Sequence, residues 1–120
     1  MRHKIVLACL LAVLQSCISG LSPRDVAEHY LDSLAKLDFT SAAQDTAGDG
    51  KTNLEQIQQV FSALSADEQE KFRVKDWKVT GHTQMEDTAT VDFLFDKIKA
   101  GKLTLKNYAG SWKIVSRQTF

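Results

Sequence analysis

The chain has 120 residues, 43% of them hydrophobic and 25% charged, and a formal net charge of zero. That length holds one domain. The composition is that of a globular protein, and the charge balance supplies no general attraction to nucleic acid or anionic membrane.

The first 20 residues stand apart. "MRHK" is a short basic head, and "IVLACLLAVL" adds ten apolar residues without a charge. A membrane-spanning helix needs roughly 20 such residues. A basic head, a short apolar middle and small residues after it predict a secretory signal. Leu14-Gln15-Ser16-Cys17 resembles a bacterial lipobox. The resemblance implies a signal peptide over 1–16, with Cys17 receiving a thioether-linked diacylglycerol and becoming the new N-terminus. Cleavage after Ser19 is the rival, with Cys17 and Ser19 as the small flanking residues. Stable attachment needs more than one acyl chain, and lipoprotein processing supplies at least two. Residues 17–21 form a tether of roughly 15 to 20 Å at about 3.5 Å per residue, which keeps the domain on the bilayer surface. The cysteines are at 9 and 17, so an acylated Cys17 leaves no disulfide and core packing must suffice.

The domain begins at Ser22. "SPRDVAEHYLDSLAKL" opens with Ser22 as N-cap, Pro23 in the first helical position and Asp25 in the third. Val26, Ala27, Tyr30, Leu31 and Leu34 form one apolar face. "DFTSAAQDT" predicts a short second helix capped by Thr40 or Ser41. "TNLEQIQQVFSAL" predicts a third, with Leu54, Ile57, Val60, Phe61 and Leu64 inward. In "SADEQEKF", Ser65 and Glu68 have capping-box spacing.

After Phe72 the hydrophobic period changes from helical to alternating. "RVKDWKVTG", "TATVDFLFDKI", "KLTLKNY" and "SWKIVSRQTF" predict four strands. Gly81, Met85-Glu86-Asp87, Ala100-Gly101 and Ala109-Gly110 are the expected breaks. Links this short imply an antiparallel meander, and helices followed by strands imply an α+β fold. Strict alternation puts Trp112 and Ile114 inward, and Lys113, Val115 and Arg117 outward.

"SPRDVAEHYLDSLAKLDFTSA", "DTATVDFLF" and "GKLTLKNYAGSWKIV" together resemble small bacterial lipoproteins of the nuclear transport factor 2-like (NTF2-like, cystatin-like) superfamily. The resemblance spans roughly residues 22 to 117. It implies a cone: N-terminal helices packed in the concave face of a curved four-stranded antiparallel sheet. It also implies residence in the cell envelope, lipid-anchored, on the periplasmic side of the outer membrane, with a secreted or periplasmic soluble protein as the alternative.

Enzymes of that superfamily place acid–base residues in the mouth of the cone. His29, Tyr30, His82, Asp92 and Asp96 are the candidates here. A dyad needs two groups at hydrogen-bond distance, and the sequence fixes no such pair. His29 and His82 read as solvated, Asp92 and Asp96 as lying on the wet sheet face, and Tyr30 as core. "DTAGDGKTNLEQ" resembles a calcium-binding EF-hand loop through Asp45, Asp49, Gly50 and Asn53. Ala47 and Gln56 occupy two ligand positions, so a glycine-rich loop is the better reading. No metal cluster, Ser-His-Asp pattern, phosphate loop or cofactor is expected.

The zero net charge hides an asymmetry. Residues 17–70 hold three basic and ten acidic side chains, and residues 71–120 hold ten basic and five acidic. Lys106, Lys113 and Arg117 are a candidate surface for an acidic partner or lipid headgroups, set against plain solvated lysines on a sheet face. The expected function is a non-catalytic binding or scaffolding module, anchored to the bilayer through acylated Cys17. Its partner would be an envelope protein or a small apolar ligand. A small pocket enzyme and a secreted partner-binding protein are the alternatives.

Overall fold

A computed structural model describes residues 21–119. The expected signal peptide and Cys17 lie outside the described residues. The elements run α1 Pro23–Ala35, α2 Phe39–Gln44, α3 Asp49–Ser62, α4 Ala66–Phe72, β1 Trp77–Met85, β2 Thr88–Phe95, β3 Lys99–Tyr108 and β4 Ser111–Thr119.

Local chemistry sets the helix ends. The Ser22 and Asp25 side chains each accept from the other's backbone N–H, the reciprocal cap that satisfies two orphan donors. Ser65 and Glu68 do the same for α4. At the other end of α1, Leu37 takes a left-handed φ of 59°. Its N–H reaches Leu34 C=O at 3.0 Å, and Asp38 N–H reaches Ser33 C=O at 2.8 Å. This double closure ends the helix and turns the chain sharply. The cap of α2 is Asp38, which accepts from Ser41 N–H, and not Thr40 or Ser41 as expected.

The sheet is an antiparallel meander in the order β1-β2-β3-β4. It is a curved open sheet, and α1 lies across its concave face against β1, β2 and β4. From α1, Val26, Ala27, Tyr30 and Leu31 are buried against Val91, Phe93, Leu103, Leu105 and Ile114 of the sheet. Among the described residues, every core residue lies between Val26 and Ile114.

Two expected breaks are internal to strands. Gly81 lies within β1, where the register shifts past Thr80, and the strand continues to Met85. Gly101 lies within β3, opposite Phe93, and the link is the Asp96-Lys97-Ile98 turn. A Cβ at Gly101 would stand 2.3 Å from the Phe93 ring, so the glycine makes room for that ring in the core. Gly50 likewise lies outside the glycine-rich loop expected there. It sits in the first turn of α3, where a Cβ would stand 2.3 Å from Ile114 O. Only glycine lets α3 approach the β4 backbone so closely.

α3 starts earlier than its apolar pattern suggested. Only Leu54 of its expected inward set is fully buried, and Val60 is 66% exposed. Between α2 and α3 the chain runs beside β4. Ile114 N–H donates to Asp45 O at 2.7 Å and Ala47 N–H to Ile114 O at 3.0 Å. Thr46 thereby forms a parallel bridge to Ile114 and covers the β4 edge.

Candidate functional site

The concave face ends in a cavity of about 310 Å³. Its walls come from several elements: Leu34 and Leu37 at the end of α1, Ile57 and Phe61 of α3, Phe72 at the end of α4 and Val74 after it, Phe95 of β2, and Thr119 of β4. Phe39 and Phe61 pack with ring centroids 5.8 Å apart and tilted planes, which closes the helical wall. Against this apolar lining stand four cations, Lys71, Arg73, Lys99 and Arg117, and one acid, Asp96.

The acid is already engaged. Asp96 Oδ1 accepts from the backbone N–H groups of Lys75 at 3.0 Å and Asp76 at 2.9 Å. It fixes the turn after β2 to the segment entering β1. Arg73 is also held, because its Nε donates to Ala35 O at 3.2 Å. Arg117 is placed by the register of β4. The ladder pairs Leu105 with Ile114 but Thr104 with Ser116, so Val115 is an extra residue. A bulge of one residue reverses the alternation beyond it. Arg117 therefore faces inward, opposite buried Leu103, where strict alternation put it on the outer face.

Inward placement brings Arg117 against Tyr30, which is 1% exposed. Burial raises the Tyr30 phenol above its ordinary range, since the charged form loses solvation. The Arg117 charge and a hydrogen bond to it oppose the shift, and Asp45 adds to it.

The three candidate surface cations do not form one patch. Lys106 and Lys113 are directly opposed on the outer face, with Arg117 on the other side of the sheet. Lys113 Nζ moreover donates to Gln44 O. His82 lies within β1 opposite Val91, well inside the strand rather than at a hairpin corner. Asp92 faces outward, paired in register with Lys102.

His29 is not merely solvated. Its Nδ1 is hydrogen-bonded to the Asp45 carboxylate, and its Nε2 lies 3.3 Å from Ser41 Oγ. The α1–α2 corner thus assembles an acid, an imidazole and a hydroxyl from residues whose sequence spacing gives no sign of it. The order of contacts is that of an acyl-transfer triad. What such a triad also needs is an amide directed at a developing oxyanion. The amide of Ser41 instead donates to Asp38 Oδ1 at 3.1 Å, as part of the α2 cap. Ser41 Oγ in turn receives Ser33 Oγ at 3.3 Å. These bonds clamp the Asp45–Ala47 segment to α1. Asp45 is pushed above the ordinary carboxylate range: burial outweighs the opposing pull of His29 and of the more distant Lys113 charge.

Among the described residues no group of three or more His, Cys, Asp or Glu could hold a metal ion. No described helix is long and apolar enough to cross a membrane.

No known family profile matches the chain, and no curated protein sequence matches it significantly. Solved structures do. A SEC-C motif containing protein from Rhodopseudomonas palustris superposes with a TM-score of 0.59 at 14% identity, over 81% of this chain and 77% of that one. A Campylobacter jejuni protein described as an NTF2-like transpeptidase superposes with a TM-score of 0.58 at 19% identity, over 80% of this chain and 99% of that one. At these identities the likeness is one of fold. The chain has the NTF2-like α+β architecture.

Proposed function

We propose that this chain is a bacterial cell-envelope lipoprotein whose NTF2-like domain is a binding module. Its ligand is a small molecule with an apolar body and an anionic end. The observation that carries the ligand class is the inward Arg117 at an apolar cavity whose one acid, Asp96, is spent on backbone N–H groups. A largely apolar cavity with a few converging polar groups is the usual form of a small-molecule site, and about 310 Å³ lies at the lower end of the range of roughly 300–1,000 Å³. The Ser41 amide, already committed to Asp38, supports binding in preference to acyl-transfer chemistry.

Decanoate and decanol serve as the probe pair. Decanoate should shift the amide resonances of Leu34, Phe95 and Thr119 and bind at least about tenfold more tightly than the alcohol, the worth of one charge-assisted contact. In Arg117→Met that difference should vanish. Equal affinity for acid and alcohol in the parent protein rejects the anionic end, and no binding of either rejects the cavity as their site.

The anchor rests on the Leu14–Cys17 lipobox pattern. Intact mass spectrometry of the native protein should find Cys17 as the N-terminus, carrying diacylglyceryl. A mature chain beginning after Ser19 and free of fatty acid rejects the anchor and makes the protein a soluble secreted one.

A further inference from the structure

Two large apolar side chains project from the rim of the cavity instead of filling it. Ile98 is 87% exposed and Phe72 is 70% exposed. They come from different elements, yet both line the same opening. Each stands between two cations, in Lys71-Phe72-Arg73 and Lys97-Ile98-Lys99.

The backbone holds these tips in place. Asp96 and Lys97 both have left-handed φ, 50° and 67°, so the turn after β2 is tight and directs Ile98 outward. Asp96 N–H donates to Asp76 O at 2.9 Å, and the Asp96 carboxylate takes the amides of Lys75 and Asp76. The Ile98 turn is thus joined to the segment that follows Phe72. Glu70 lies 3.8 Å from Arg73, and the Asp96 carboxylate is turned to backbone, so cations dominate what the rim presents.

We propose that this rim docks on an anionic lipid bilayer. Phe72 and Ile98 enter the boundary between headgroups and acyl chains, and Lys71, Arg73, Lys97 and Lys99 meet the headgroup phosphates. Apolar tips with flanking lysines suit such an interface, because the lysine stems lie along apolar surface while the ammonium groups stay at phosphate depth. The charge complementarity selects a negatively charged surface. Convex tips this far out of the fold suit a fluid surface; a protein partner would need two separate pockets, each ringed by acids. The inference depends neither on acylation of Cys17 nor on what fills the cavity.

The test uses residues 21–120, which hold every described core residue, with a cooperative thermal melt to check that they fold, so no acyl chain contributes. This stretch contains no cysteine. Ile98→Cys can therefore carry a single environment-sensitive nitrobenzoxadiazole label, and Met85→Cys, at the opposite end of the β1–β2 ladder, gives the comparison. With vesicles of equal parts phosphatidylglycerol and phosphatidylcholine, the label at 98 should shift to the blue and be quenched by spin-labelled lipid, while the label at 85 should not respond. In vesicle sedimentation of the unlabelled domain, Phe72→Ser with Ile98→Ser, and separately Lys97→Gln with Lys99→Gln, should each weaken binding about tenfold or more. All four positions are exposed, so melting temperature should be unchanged. A silent label at 98, an equal response at 85, equal binding to phosphatidylcholine alone, or binding indifferent to both double substitutions overturns the proposal.

Discussion

Arg117 stands directly opposite Leu103 across the β3–β4 ladder, a guanidinium beside one of the most deeply buried residues of the sheet. The extra residue Val115 is what puts it there. Its charge falls on Tyr30, whose phenol burial pushes up and Arg117 pulls back. In a Tyr108→Phe background, leaving one tyrosine to titrate, Arg117→Met should raise the alkaline midpoint of Tyr30 further. An unchanged or lower midpoint would show that the guanidinium does not act on the phenol. The sign of the linked stability follows. Because the folded value exceeds the ordinary 10.0, the contribution of Tyr30 is fully present below pH 10.0 and is lost as pH rises through the folded value.

Replacing His29 by alanine removes the partner of a half-buried carboxylate. Leaving such an acceptor unpaired costs about 1–3 kcal/mol. The loss should be local, because Asp45 O and Ile114 O anchor the segment on β4. Hydrogen exchange at the Ile114 and Ala47 amides should accelerate more than exchange at Leu103. Uniform acceleration through the sheet would count against a clamp.

The raised Asp45 makes its own pH prediction. Its folded state holds a proton more readily than a free carboxyl of 3.8, so its contribution is largest below 3.8 and falls away as pH rises through the raised value. The parent protein should therefore gain stability relative to Asp45→Asn as the solution is acidified from neutrality. Urea unfolding at neutral and mildly acidic pH measures the difference, and a gap that narrows on acidification contradicts the assignment.

Gly50→Ala sets two effects against each other. Alanine favours a helix interior over glycine by about 1 kcal/mol. The new methyl would, however, stand 2.3 Å from Ile114 O and 2.9 Å from Ile114 C, which are backbone atoms that cannot rotate away. Overpacking of this kind typically costs about 1–3 kcal/mol, so a net loss is expected in denaturant unfolding. A more stable variant would mean that α3 can slide off β4 without cost.

The β3–β4 turn offers a gain. Ala109 and Gly110 both have positive φ, 53° and 90°, as a two-residue hairpin of the primed type requires. Ala109 pays for a conformation that asparagine adopts readily. Ala109→Asn should stabilise the domain by about 0.5–1 kcal/mol, read as a rise in melting temperature.

The sequence by itself determined most of the elements that depend on near neighbours. Both capping boxes, the apolar stripe of α1, the change to alternating strands and the Ala109-Gly110 turn are set by residues three or four apart or by pairs in contact along the chain. Those rules yield the observed order of helices followed by an antiparallel meander. The cap at Asp38 is legible too, three residues ahead of Ser41, although the hydroxyls of Thr40 and Ser41 compete with it as candidate caps.

Tertiary structure decided whatever depends on a partner far along the chain. Val115 carries no mark of a bulge, because an extra residue in β4 is defined only against β3, and on it turns the side of the sheet that Arg117 occupies. Gly81 and Gly101 resemble breaks until Asp92 and Phe93 stand opposite them. His29, Ser41 and Asp45 meet only because the α1–α2 corner folds back. Periodicity is a property of one segment, whereas register and convergence are properties of two. The cavity and its rim belong to the second kind.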